Sequence, residues 1–327
     1  MITHSESFGK YRLNKKDVKG FLMKEYGIRA VSIVELKGGM INTSIKVKSP
    51  QQPYLLRIYR RGVRTRRDIA SELYFCEMLA WGGVPTARAV SALTQDYIRI
   101  LTSKAGGRYY AVLFQFLKGV HIKPRQHQLI PKIAKLHAVM HRLGERRVHK
   151  LPSSVDAIIS WLNNEHAVAQ AQLALKQIKL AEELNALHVD ILAEYQLNKK
   201  NIARLPLALS HLDYDSGNIL NDGKSITGVI DFDDLAVVPA VLDLGFSLWW
   251  WCYFNTHSKD LVLRRYVYAY STVRRLTVGE KNLLSFFMRV RNLILSNLLF
   301  VNVPTVANVA ALRKGIALDE WLKKINL

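Results

Sequence analysis

The sequence predicts an α+β chain in two parts, a small antiparallel sheet followed by a larger and mostly helical region. Two observations predict this. Short alternating apolar runs broken by glycine and proline crowd residues 31–116, as strands joined by turns do. Beyond them apolar residues recur at helical spacing, except around residues 206–231. With 327 residues the chain can build two lobes, which are placed at 1–117 and 118–327. A 49% hydrophobic content with 14 Tyr, 11 Phe and 6 Trp supports packed cores and excludes a disordered chain.

Taken in order, Asn14 is positioned to cap a helix running from Asp17 to Tyr26 and closed by Gly27. Residues 31–36, 43–48 and 54–59 alternate and read as three antiparallel strands, separated by Gly38-Gly39 and by a Pro-containing turn. A basic loop, RRGVRTRR at 60–67, precedes a helix over 68–81 that ends at Gly82-Gly83 and Pro85. It reads as a solvated loop, with an anion-steering surface as the alternative. Strands are expected at 97–101 and 109–116 around Gly106-Gly107. Helical spacing then covers 126–143 through Leu129, Ile133, Leu136 and Met140. His137 and His141 lie at i and i+4 on it; with no third ligand nearby in sequence, a partly exposed face is expected rather than a metal site. Residues 156–198 suggest two helices with no Pro or Gly to mark their break. Further helices are expected at 242–254, 259–272, 279–300 and 305–325.

The chemistry concentrates in residues 210–245, SHLDYDSGNILNDGKSITGVIDFDDLAVVPAVLDLG. Asn218 stands five positions after Asp213, and Asp231 thirteen after Asn218. Each of the latter two borders a β-type apolar run, and Asn221-Asp222-Gly223-Lys224 between the runs is turn material. A hairpin of that size is expected to bring Asn218 and Asp231 face to face. An amide oxygen and a carboxylate so placed suit a hard cation such as Mg²⁺, which fills its other sites with phosphate and water. Asp213 can then accept the proton of a hydroxyl attacking a metal-bound phosphate. Protein kinases show the same order of Asp, Asn five residues on, and a later Asp.

HLDYDSGNIL, GVIDFDD and PAVLDLG together resemble the catalytic-loop and metal motifs of the aminoglycoside phosphotransferase and choline kinase-like family. The tail of the segment and the residues after it are similar to bacterial homoserine kinases of the type II kind. The resemblance implies a bilobal, protein kinase-like fold with a nucleotide-binding N-terminal lobe and a catalytic, acceptor-binding C-terminal lobe. It implies Asp213 as catalytic base, Asn218 and Asp231 as metal ligands, and His211 and Asp243 as braces of the loop. Gly38, Gly39 and Asn42 stand where a nucleotide-binding hairpin turns, and glycine lets backbone amides approach phosphates. Arg57 takes the strand position of a phosphate-binding Lys, with Glu72 as its expected helix partner and Asp68 as the alternative. Residues 115–119, with Gln115 and Leu117, correspond to the hinge whose backbone meets adenine. Two positions depart from the family pattern, Leu212 in place of Gly and Asp215 in place of a second His.

Cys76 and Cys252 lack ligand spacing and read as buried thiols of a reducing compartment. The first residues contain no apolar run after their charges, so no signal peptide is expected. Apolar stretches at 246–254 and 293–303 fall short of the roughly 20 residues a bilayer requires. A cytoplasmic protein is therefore expected. The net charge of +21 is compatible with an anionic partner beyond the nucleotide. Nucleic acid is not expected, because basic and aromatic residues do not interleave.

After Gly245 the acids are Asp260, Glu280, Asp319 and Glu320, against a dozen Lys and Arg, which disfavours a polycationic acceptor. Trp249, Trp250 and Trp251 are consecutive on a helix, point three ways, and cannot all line one choline cage. Arg289 or Arg291 could take the carboxylate of a zwitterion. The leading expectation is an ATP- and Mg²⁺-dependent kinase of a small hydroxylated metabolite, homoserine-like or an amino alcohol. A bacterial stress-response type Ser/Thr protein kinase and a non-catalytic regulatory protein remain open alternatives.

Overall fold

The computed structural model describes residues 7–8, 13–36, 42–103, 106–148, 152–174, 177–300 and 305–325. They fall into two compact units, Met1–Gly119 with Thr227–Ile230, and Val120–Ile226 with Asp231–Leu327. Among the described residues no helix is long and apolar enough to cross a membrane.

The first unit opens with a short antiparallel pair, β1 (Ser7–Phe8) and β2 (Leu13–Asn14). Helix α1 (Lys15–Tyr26) starts at a capping box. Asn14 Oδ1 accepts the Asp17 N–H at 2.8 Å, and the Asp17 carboxylate accepts the Asn14 N–H at 3.4 Å. Gly27 ends the helix at φ 65°, a left-handed conformation that glycine adopts without steric cost. Strands β3 (Ser32–Leu36), β4 (Thr43–Lys48), β5 (Pro53–Ile58), β6 (Arg99–Thr102) and β7 (Arg108–Gln115) form an antiparallel sheet in the order β3-β4-β5-β7-β6. In β4, Ile45 and Val47 are buried while Lys46 and Lys48 are exposed, the period of two that puts one face on the core. That core joins them to Val18 and Leu22 of α1 and to Leu56 and Leu113. Helix α2 (Arg66–Trp81) begins two residues before position 68 because Thr65 and Asp68 form a second capping box. The segment Thr227–Ile230 joins this unit through Val229, whose N–H donates to the Pro85 carbonyl at 2.8 Å.

In the second unit β8 (Val120–His121) is followed by one 3₁₀ turn at His127–Leu129 and by α3 (Ile130–Glu145). The two long helices expected next are α4 (Val155–Ala174) and α5 (Ile178–Ile202). Short strands β9 (Leu207–Ser210), β10 (Ile219–Asn221) and β12 (Ala236–Pro239) lie in the chemically rich segment of this unit, whereas β11 (Ile226–Val229), between β10 and β12 in sequence, belongs to the first unit from Thr227 on. β10 pairs with β8, and β9 pairs with β12 in the register Ser210 to Ala236. Helices α6 (Ala240–Phe254), α7 (Lys259–Ser271), α8 (Val278–Leu298) and α9 (Val306–Leu322) complete the unit.

α6 packs on α8 at close range because Gly245 lacks a side chain; a Cβ there would lie 2.9 Å from Phe287 Cβ. The three tryptophans of α6 diverge as helical geometry requires. Trp251 is fully buried, Trp249 donates to Asn292 Oδ1 at 3.0 Å, and Trp250 donates to Ser216 Oγ at 2.9 Å. Both cysteines are buried and free.

Candidate active site

β9 ends at Ser210, and the chain then turns through His211 and Leu212. Leu212 has φ 63°, a left-handed conformation that costs a branched residue free energy, at the position where the resembled family carries glycine. Asp243, in the first turn of α6 and fully buried, holds this turn. Its Oδ2 accepts the His211 N–H at 3.1 Å and its Oδ1 accepts the Leu212 N–H at 3.0 Å. His211 is buried against Phe232, and its Nδ1 accepts the Asp213 N–H at 3.3 Å.

His137 and His141 of α3 are fully buried, which corrects the expectation of a partly exposed face. Their third partner is Asp243, more than a hundred residues away in sequence: His137 Nε2 lies 3.2 Å and His141 Nε2 3.0 Å from its Oδ2. An ionised carboxylate only accepts, so each Nε2–H donates to it and each Nδ1 is left to accept. The hydroxyls of Tyr266, at 2.9 Å from His137 Nδ1, and Tyr270, at 2.7 Å from His141 Nδ1, supply those donors. These three ligand-type atoms are close enough for a metal ion, but protons alone satisfy the network. Burial, helped by the neighbouring His137, pushes the His141 pKa down to about 3. Burial alone would raise Asp243; its electrostatic and hydrogen-bond contacts with the N–H groups of His137 and His141 bring it well below the usual carboxylate range.

Asp213 stands just beyond this clamp with its side chain 33% exposed. Its Oδ2 accepts Asn218 Nδ2 at 2.8 Å, and the same amide nitrogen also reaches the Asp213 carbonyl at 2.9 Å. Its Oδ1 accepts Arg291 Nη2 of α8 at 2.6 Å. With its nitrogen spent on Asp213, Asn218 keeps its amide oxygen as an acceptor. Asp231 follows β11, half-buried and at φ 65°. An amide oxygen and a carboxylate are the hard donors that a divalent ion of the Mg²⁺ type takes, so the donor set fits. Asp215, buried one residue beyond Tyr214, has its pKa raised to about 6 by burial and by the neighbouring charge of Asp213. Its Oδ1 accepts the Gly217 N–H at 2.6 Å and shapes the turn that presents Asn218.

Arg289, one of two arginines considered for an acceptor carboxylate, is consumed inside the protein. It is buried and bonded to Asp319 at 2.9 Å, to Asp190 and to Glu194. Arg291 alone of that pair reaches Asp213.

In the first unit, Arg57 pairs with Glu72 at 3.4 Å, and both side chains are nearly buried. Tyr59 OH donates to the other Glu72 oxygen at 3.1 Å. Asp68, the alternative partner, is occupied in the α2 cap. Asn42, expected beside phosphates, is buried, and its Oδ1 accepts the Arg60 N–H at 3.0 Å. Gly38 and Gly39 lie outside the described residues. Of the hinge residues, Gln115 has its N–H committed to the Arg88 carbonyl at 2.9 Å, whereas Leu117, half-buried, makes no such backbone bond among the described residues. Sequence reasoning missed Tyr59, Tyr266 and Tyr270. The last two repeat on α7 the i, i+4 spacing of the histidines on α3, which is the one signal that could have paired them.

A family model for the phosphotransferase enzyme family matches residues 32–277. Homoserine kinase of Pseudomonas aeruginosa is 26% identical over 243 residues, covering 74% of this chain and 72% of that protein. Among solved structures, amicoumacin kinase hAmiN, in complex with AMP-PNP, Ca²⁺ and Ami, gives a TM-score of 0.70 at 15% identity, covering 95% of this chain and 94% of its own. A microcompartment-associated aminopropanol kinase gives 0.67 at 17% identity, with coverages of 94% and 97%. At such identities the structural likeness establishes the kinase-like fold.

Proposed function

The chain belongs to the phosphotransferase enzyme family, and on that footing we propose that it transfers the γ-phosphate of ATP to the hydroxyl of a small metabolite, homoserine-like or an amino alcohol, in the cytoplasm. The observation that carries this is Asp213: a partly exposed carboxylate with both oxygens held, on a turn locked by a buried acid. A carboxylate so oriented suits the acceptance of a proton from an attacking hydroxyl. In the transfer the acceptor oxygen bonds to the γ-phosphorus, the bond to the β–γ bridging oxygen breaks, ADP leaves, and the proton passes to Asp213. Asn218 and Asp231 would hold Mg²⁺, which when bound neutralises charge on the phosphates. Arg57, aligned by Glu72 and Tyr59, presents a guanidinium suited to bidentate phosphate contact. Leu117 keeps backbone groups that suit the adenine edge. His211 and Asp243 hold the turn and touch no substrate. The homoserine kinase relative and the aminopropanol kinase fold neighbour support a small amino-bearing alcohol as acceptor.

The test is ADP formation by the purified chain with ATP and Mg²⁺, across a panel of homoserine, 3-aminopropan-1-ol, ethanolamine and choline. At least one acceptor is expected to raise the rate well above that with ATP alone. No stimulation by any hydroxylated metabolite would contradict the assignment.

A further inference from the structure

Arg291 gives Asp213 one nitrogen and leaves much of its guanidinium uncommitted. Nη2 bonds Asp213 Oδ1 at 2.6 Å, whereas Nε is buried and has no hydrogen-bond partner among the described residues. The side chain is only 13% exposed and lies over the Phe246 ring at 5.2 Å. A largely desolvated cation with a buried unmet donor carries a free-energy penalty that a shift of the side chain onto an incoming acceptor group would relieve. Asp213, meanwhile, holds one donor on each oxygen, Asn218 on Oδ2 and Arg291 on Oδ1, and its partly exposed carboxylate keeps further lone pairs for a hydroxyl.

The acids that follow Gly245 are already engaged. Glu280 caps α8 and pairs with Arg274 at 2.7 Å, Asp319 pairs with Arg289, Asp260 accepts from Trp321 at 3.3 Å, and Glu320 lies 3.4 Å from Lys323. The C-terminal helices thus leave a guanidinium with an unmet donor beside Asp213, whereas each of their own acids already has a partner.

We infer that Arg291 reads a carboxylate on the acceptor while its Nη2 holds Asp213 Oδ1 beside the acceptor hydroxyl. The substrate is then a carboxylate-bearing alcohol and not a simple amino alcohol. The placing of the hydroxyl beside Asp213 rests on the phosphotransfer proposed above, whereas the recognition of the carboxylate does not. A planar guanidinium with neighbouring free N–H groups matches the two oxygens of a carboxylate.

Homoserine and 3-aminopropan-1-ol differ only by the carboxylate, and 4-hydroxybutyrate keeps the carboxylate without the amine. Calorimetric titration of each into the chain with Mg²⁺ and AMP-PNP measures recognition without turnover. Wild type is expected to bind the better carboxylate about 10- to 100-fold more tightly than the amino alcohol, the range for a charge-assisted hydrogen-bonded pair. Arg291→Ala is expected to bring that ratio close to one, and Arg291→Lys, which keeps the charge beside Asp213, to reduce it to an intermediate value. No measurable preference for either carboxylate in wild type, or an unchanged preference in both variants, would overturn the inference. Selective binding without ADP formation would instead count against phosphotransfer and leave Arg291 assigned. ADP formation without selectivity would do the reverse.

Discussion

Asp243 and Asp213 are two carboxylates of one unit, joined through the same short turn and treated in opposite ways. Asp243 is fully buried and receives two imidazoles and two backbone N–H groups, with tyrosine hydroxyls closing the far side. Asp213 is one-third exposed and is held by a single amide and a single guanidinium that itself has an unmet donor. The first centre spends its bonds on holding a left-handed Leu212; the second keeps bonds that a substrate can exchange. Rigidity and reactivity are thereby separated by thirty residues of sequence but only one turn of backbone.

The comparison breaks most visibly at Asp243. Asp243→Ala leaves two histidines and a strained turn without their acceptor, and a loss of about 3–5 kcal/mol is expected in urea unfolding, together with loss of turnover. A stable, active Asp243→Ala protein would show that the turn holds itself.

Acid should sharpen the contrast next. The folded His141 pKa of about 3 lies below the ordinary value of about 6.5, so the unfolded chain binds a proton that the native protein refuses. Stability supplied by this group is full above pH ~6.5 and is lost as pH falls toward ~3, at up to about 1.4 kcal/mol per pH unit. Urea unfolding between pH 7.5 and 4.5 should show this slope, and His141→Asn should flatten it. Equal slopes in the two proteins would remove His141 as the cause.

Smaller effects are expected away from both centres. Glu72→Gln keeps an acceptor for Tyr59 but removes the charge facing Arg57, so KM for ATP should rise roughly tenfold with the fold intact. Ser216→Ala removes the Trp250 hydrogen bond and should cost about 1 kcal/mol, with turnover changed only slightly.

Local signals carried most of what could be read before the structure. Asn14 and Gly27 bound α1 as their chemistry requires, and the alternating 43–48 run is a strand over its whole length. The loop from Asp213 to Asn218 was legible because its contacts close within five residues. What escaped is tertiary. β12 is four residues long, and its partner β9 lies near the other end of the segment, so nothing nearby marks it as a strand. The imidazoles of α3 looked partly exposed because their acid sits on α6 and their hydroxyls on α7. Leu212 as a residue type ordinarily avoids a positive φ, and the one hint of it was the glycine that the resembled family carries at its position. Arg289 and Arg291 are two positions apart on α8; only packing reveals that one is spent and the other available.

The most direct measurement follows the γ-phosphate of ATP into product by ³¹P NMR, comparing wild type with Asp213→Asn on the best acceptor of the panel. A phosphomonoester on the acceptor is expected with wild type, forming about 10²–10⁴-fold more slowly in the variant while its urea midpoint stays near that of wild type. Equal rates of phosphomonoester formation in the two proteins would contradict the role assigned to Asp213.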